Sequence, residues 1–132
     1  MIKEDKISIA TTLAVVGGTN YDLKRNETAF EYFLESLDLF DKSEGRQLRF
    51  ADVLFSCGDV LKKMNNPTSS KCYIEAIQIY KANGYGEEDS NVQQMLNHMS
   101  GITLSNIRNI EPSLKCAILD LAKRDRAGRI EF

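Results

Sequence analysis

One residue pattern runs twice along the chain, about forty residues apart, and a fixed period of that size marks stacked supersecondary units. The first copy reads Leu13-x-x-Val16-Gly17, then Ala29-x-x-x-Phe33-x-x-Ser36-Leu37-x-Leu39. The second reads Leu54-x-x-Cys57-Gly58, then Ser69-x-x-x-Tyr73-x-x-Ala76-Ile77-x-Ile79. Leu13 to Leu54 and Gly17 to Gly58 both span 41 residues, whereas Phe33 to Tyr73 and Leu39 to Ile79 span 40. One residue is lost in the turn between the halves of a unit.

Apolar spacing assigns helix to both halves. A first helix is expected from about Asp5 to Leu23, with Ile9, Leu13 and Val16 inward. A second runs from an Asn26 cap to about Lys42, burying Phe30, Phe33, Leu34, Leu37 and Phe40, and Gly45 supplies the left-handed stop. The third, from about Gln47 to Met64, turns Phe50, Leu54, Cys57 and Leu61 inward. Asn66 and Pro67 read as the cap and first turn of a fourth helix, which carries Tyr73, Ile74, Ile77 and Tyr80 and stops at Asn83-Gly84. Ser90 and Gln93 have capping-box spacing and open a fifth helix to about Ile107. Pro112 begins a sixth, with Leu114, Ile118, Leu119 and Leu121. No strand alternation persists, so the expected class is all-α. About six helices form three antiparallel helix-turn-helix units, at 5–43, 47–84 and 90–126, in one domain over 1–132 with a tail at 127–132.

The bulk numbers exclude several classes of partner. Seventeen Lys and Arg against nineteen Asp and Glu give a net charge of −2, which offers no broad field for nucleic acid or an anionic membrane. Cys57, Cys72 and Cys116 form no C-x-x-C pair, and the odd count argues against a disulfide framework. They read as small apolar packers in a reducing compartment. The apolar run from Ile7 to Val16 is too short to span a bilayer. It follows a leader of mixed charge, unlike a secretory signal, and fills the slot that Phe50 to Leu61 fills in the second unit. An intracellular location is expected.

Glycine in mid-helix costs about 1 kcal/mol relative to alanine, so Gly17 and Gly58 need a reason. At equivalent places, a missing side chain lets the partner helix approach, with Phe33 or Tyr73 filling the adjacent space. Ala29 and Ser69 serve the same end from the other helix. This combination of large and small residues on the first helix, then small, aromatic and small on the second, resembles the tetratricopeptide repeat. The matching residues are Leu13, Gly17, Ala29, Phe33 and Ser36, then Leu54, Gly58, Ser69, Tyr73 and Ala76. The spacing exceeds the family's usual 34 residues and looks most like the longer kinesin-light-chain type. Leu96, Met99 and Ser100 echo the first helix of a third unit. That unit is degenerate, with Cys116 or Ala117 where an aromatic is expected.

The resemblance implies a short right-handed α-solenoid acting as a non-catalytic scaffold or adaptor. A peptide or helix of a partner protein would lie along the concave face formed by the first helices. By slot, the residues facing it are Thr11, Ala14, Gly18 and Asp22 on the first helix. On the third they are Asp52, Phe55, Asp59, Lys62 and Lys63, and on the fifth Gln94, Asn97, His98 and Ser105. Phe55 lies off the buried stripe of its helix and is the candidate anchor; packing on the neighbouring unit is its alternative. The lysine–asparagine clamp of the family's chaperone-binding members has no counterpart, because those slots hold Ala14, Gly18, Phe55 and Asp59. A rival reading is a structural or regulatory subunit that uses its helical faces for assembly, including a homo-oligomer.

Chemistry is poorly provided for. His98 is the sole histidine and reads as a surface residue, so a histidine triad or multi-histidine metal site is excluded within one chain. Neither Val16-Gly17-Gly18 nor Gly84-Tyr85-Gly86 continues into a phosphate-loop lysine. Glu87-Glu88-Asp89 reads as a solvated turn. No enzyme activity and no cofactor are expected.

Overall fold

The computed structural model describes residues 2–99. Five helices follow one another: α1 (Lys3–Asp22), α2 (Asn26–Ser43), α3 (Leu48–Lys63), α4 (Ser69–Ala82) and α5 (Ser90–Met99). No strand occurs among the described residues. The expected sixth helix, the tail, Ser105, Cys116 and the extension of the fifth helix to Ile107 lie outside them. α1 packs chiefly on α2, α3 on both α2 and α4, and α4 on α5, with a smaller contact between α1 and α3.

Burial follows this order. α3 is central, and half of its sixteen residues are buried, Phe50, Leu54, Cys57 and Leu61 among them. α1 is twenty residues long, yet only Ala10 and Gly17 are buried. Its inward stripe is Ile7, Ala10, Ala14, Gly17 and Tyr21, not the expected Ile9, Leu13 and Val16. Ile9 is exposed, and Leu13 and Val16 are half-buried. The reason is that the apolar residues of α1 are spread around its axis, so periodicity could not choose a face, and small residues won because they let α2 come close. On α2 and α4 the expected inward residues are buried, except that Phe30 and Ile74 are half-buried.

The two units are locked in the same way. A Cβ on Gly17 would stand 2.7 Å from the Phe33 ring, and one on Gly58 would stand 2.6 Å from the Tyr73 ring. Both lie far inside van der Waals contact, so the glycines are required by the aromatic rings packed on them. Ser36 adds a polar tie in the first unit, donating its buried hydroxyl to the Ala10 carbonyl at 2.7 Å.

Each connection contains one left-handed residue: Lys24 (φ 62°), Gly45 (φ 79°), Asn65 (φ 57°) and Gly84 (φ 90°). After Lys24, Asn65 and Gly84, the next backbone N–H returns to the carbonyl five residues back: Arg25 to Asn20, Asn66 to Leu61 and Tyr85 to Tyr80. Gly45 makes the equivalent bond itself, to Phe40. These bonds satisfy carbonyls that a helix end would leave orphaned.

The helix starts differ from expectation. Asn26 is the first residue of α2 and makes no side-chain cap. Pro67 precedes α4 rather than opening it, and Asn66 Oδ1 accepts from the Thr68 N–H at 2.9 Å. At α5 the cap is Asp89, whose Oδ1 accepts from Asn91 N at 2.9 Å and Val92 N at 3.2 Å. Ser90 is instead the first helical residue. A carboxylate is the stronger acceptor and also suits the positive end of the helix dipole.

Arg46, between α2 and α3, reaches three helices. Its Nε lies 3.1 Å from Asp41 Oδ1 on α2, and its Nη1 lies 3.1 Å from Glu75 Oε1 on α4. The guanidinium also sits 5.3 Å from the Phe50 ring centre on α3. Glu75 is only 4% exposed, so this pairing keeps a carboxylate inside the fold.

Candidate functional site

Asp52, Phe55, Asp59 and Lys62 follow each other on α3 at steps of three, four and three residues, which puts them on one side of the helix. This side meets the tyrosines of α4 and the last turn of α5. Tyr73 donates its hydroxyl to Asp59 Oδ1 at 2.6 Å, and Tyr80 donates to Asp52. The seven-residue step from Asp52 to Asp59 matches the seven-residue step from Tyr80 back to Tyr73. The result is a two-rung ladder between antiparallel helices.

Asp59 has a second partner. His98 Nδ1 on α5 lies 2.6 Å from the same oxygen, and Lys62 Nζ donates to the His98 carbonyl at 2.8 Å. An ionised Asp59 requires the proton of a neutral imidazole on Nδ1, which leaves Nε2 as an acceptor. Phe55 stands 5.8 Å from Tyr73 and 5.2 Å from His98, and Tyr73 stands 5.9 Å from His98, measured between ring centres. All three pairs meet edge to face, at 64° to 87°, the arrangement that ring quadrupoles favour. Tyr85 similarly meets Tyr80 edge on at 5.5 Å.

Burial pushes the Tyr73 and Tyr80 phenols well above their usual range, and the hydrogen bonds to Asp59 and Asp52 push them further in the same direction. Tyr21 of α1 is raised too, by burial first and then by the charge of Asp59. The Tyr73 and Tyr80 phenols remain protonated donors. Cys57 and Cys72 are buried free thiols, and burial raises both; a protonated, enclosed thiol is neither nucleophile nor ligand. Among the described residues, no three His, Cys, Asp or Glu side chains gather to hold a metal ion.

The expected partner-facing residues divide into two sets. Phe55, Asp59, Lys62 and His98 come together, and His98 is a half-buried member of a network rather than a plain surface residue. Phe55 is half-buried against Tyr73 and His98, so it packs across the units. Thr11, Lys63 and Asn97 are exposed and do not join this cluster. Asp52 is exposed as a residue but engaged with Tyr80. Ala14 and Gly18 are half-buried. Lys63 instead lines a cleft of about 460 Å³ with Tyr21, Asp22, Lys24 and Asn26, where the ends of α1 and α3 meet.

Tyr73 and Tyr80 were not expected to contribute polar groups, although the repeat carried a signal. The slots of Asp52, Asp59, Tyr73 and Tyr80 hold Thr11, Gly18, Phe33 and Phe40 in the first unit. Both acids and both hydroxyls therefore appear together in the second unit and are missing together from the first. No helix among the described residues is long and apolar enough to cross a membrane. The chain matches no family model, no curated protein and no solved structure.

Proposed function

We propose that this chain is a non-catalytic protein-interaction module of the tetratricopeptide-like kind, a short right-handed α-solenoid. It would hold a peptide or helix of a partner protein along the side formed by α1, α3 and α5. The observation carrying this reading is the repeated lock, in which Gly17 is covered by Phe33 and Gly58 by Tyr73 at equivalent places. It supports one helix-pair geometry used twice, with α1 and α3 in contact as neighbouring first helices.

The Asp59 junction gives this side its recognition chemistry. Its aromatic and acidic groups are already fixed by mutual contact, so a partner meets a preorganised surface and less ordering opposes binding. Phe55 and His98 offer ring edges and faces, and Lys63 and Asn97 stand exposed on the same two helices, α3 and α5. Mixed charge suits a partner segment of mixed polarity rather than a purely acidic one.

The test is site-specific photo-crosslinking. A benzophenone amino acid is placed singly at Lys63 or Asn97 on the proposed face, and at Glu35 or Lys71, exposed on α2 and α4. The expected result is one partner protein captured from the first pair of positions and not from the second. Capture of that partner only from Glu35 and Lys71 would move binding to the outer helices and overturn the reading.

A further inference from the structure

A pocket of about 440 Å³ opens between the α2–α3 connection and the last turns of α4, a size within the range of small-molecule sites. Arg46 stands on one wall, Glu75, Gln78, Ile79 and Ala82 on the other, and Asn83 closes the end. Steps of three, one and three residues put the four on one side of α4. None of these residues belongs to α1, α3 or α5.

The wall asks for donors. Among the described residues only two buried side-chain polar atoms lack a hydrogen-bond partner, Glu44 Oε1 and Gln78 Oε1, and the second belongs to the pocket. A buried acceptor left unpaired is costly, so it marks where a donor is wanted. Asn83 donates its Nδ2 to the Ile79 carbonyl at 2.8 Å, which leaves its Oδ1 to accept. α4 ends at Ala82, so the negative pole of its dipole also lies at the pocket. Arg46, the cation opposite, is held 3.1 Å from both Asp41 and Glu75, and its charge is already answered.

We propose that this pocket is a binding site for a protonated primary amine on a short alkyl stem. An ammonium group brings three donors and no acceptor, which suits Gln78 Oε1 and Asn83 Oδ1. Its charge meets the C-terminal pole of α4, and its stem lies along Ile79 and Ala82. A carboxylate would set acceptor against acceptor at the wrong pole of the helix, and an alcohol of the same length brings one donor and no charge. The amine arrives either as a free alkylamine or as the lysine side chain of another protein, and the two share this chemistry. The pocket lies apart from the side formed by α1, α3 and α5, so the inference stands whether or not a partner binds there.

The test is titration of the nitrogen-15-labelled full chain with butylammonium chloride at neutral pH and constant ionic strength, read from the side-chain amide signals of Gln78 and Asn83. Saturable shifts with a dissociation constant of about 1 mM are expected, near what so few atoms can give. Butanol and butyrate should bind at least tenfold more weakly, roughly one charged hydrogen bond less. Gln78→Leu keeps the wall but removes the acceptor and should weaken amine binding about tenfold, whereas Gln78→Glu adds a charge and should tighten it about tenfold; Asn83 carries the readout in both. Ala82→Trp, at an exposed position, fills the pocket and should abolish binding while leaving the unfolding midpoint unchanged. Nα-acetyl-lysine methylamide separates the sources: binding as tight as butylammonium assigns the site to a protein lysine, and weaker binding to a free amine. No saturation up to about 50 mM, butyrate or butanol binding as well as the amine, or amine binding that survives Ala82→Trp, overturns the inference.

Discussion

Tyr73 donates its hydroxyl to Asp59 at 2.6 Å while its ring covers Gly58, the residue just before that aspartate. One side chain therefore sets both the closeness of α3 and α4 and their register. Phe33 does the first of these for α1 and α2 but has no hydroxyl for the second. The polar rungs were thus added to a packing scheme that already closes without them.

The rungs should consequently contribute to stability in a measurable and coupled way. A double-mutant cycle with Tyr73→Phe and Asp59→Ala is expected to give a coupling energy of about 1.5 kcal/mol, the low end for a hydrogen bond to a charged group. The check is urea denaturation of the four proteins. A coupling near zero would mean that the ring alone organises this joint.

Adjacent glycines should respond with opposite signs. A Cβ on Gly17 meets the Phe33 ring at 2.7 Å, whereas one on Gly18 meets nothing within 4 Å. Gly17→Ala is expected to destabilise by about 2 kcal/mol through overpacking. Gly18→Ala should stabilise by roughly 0.5 to 1 kcal/mol, because alanine is the better helix former and the site is open. Thermal unfolding midpoints of the two variants, moving in opposite directions from wild type, would establish this.

Lys24 occupies the left-handed region at φ 62°, where a Cβ is strained. Lys24→Gly should raise stability by about 0.5 kcal/mol, the relief of that strain less glycine's greater chain entropy. Urea midpoints read the difference, and a lower midpoint would show that the lysine side chain contributes more than its backbone costs.

Alkali should weaken the fold in two stages. Cys57 and Cys72 are raised above their ordinary 9.0, and Tyr73, Tyr80 and Tyr21 above their ordinary 10.0, with burial the leading cause in each. The unfolded chain releases these protons first, so it binds fewer protons than the folded chain in that range. Stability is thus full below the unfolded values and falls as pH rises through them. Urea midpoints are expected to hold level to about pH 8.5 and then decline, more steeply beyond about pH 10. In a Cys57→Ala, Cys72→Ala variant the decline should begin only in the tyrosine range.

What could be read from the sequence was decided by whether a residue's role is set locally or by its neighbours. The Gly17–Phe33 and Gly58–Tyr73 contacts were legible because a mid-helix glycine is costly and the repeat paired it with an aromatic. Gly45 and Gly84 were legible as helix stops for a similar reason. The inner face of α1 was not, because Ile9, Leu13 and Val16 look as core-like as Ala10 and Ala14 until α2 is in place. Asp89 does not stand out as a cap in the sequence because Ser90 and Gln93 have the capping-box spacing, and a carboxylate one residue earlier competes for the same N–H groups. The lone His98 read as surface because nothing in α5 announces Asp59, 39 residues away on α3.

Arg46 bears on how the molecule comes apart. Stacked helix pairs can melt one unit at a time when each is nearly self-sufficient. Here a guanidinium rooted between α2 and α3 holds Asp41 in one unit and the buried Glu75 in the next. If α1 and α2 fray, the guanidinium that Glu75 pairs with loses Asp41, one of the groups that hold it in place. Damage to the first pair is thereby passed to the second, and the two should unravel in a single cooperative step.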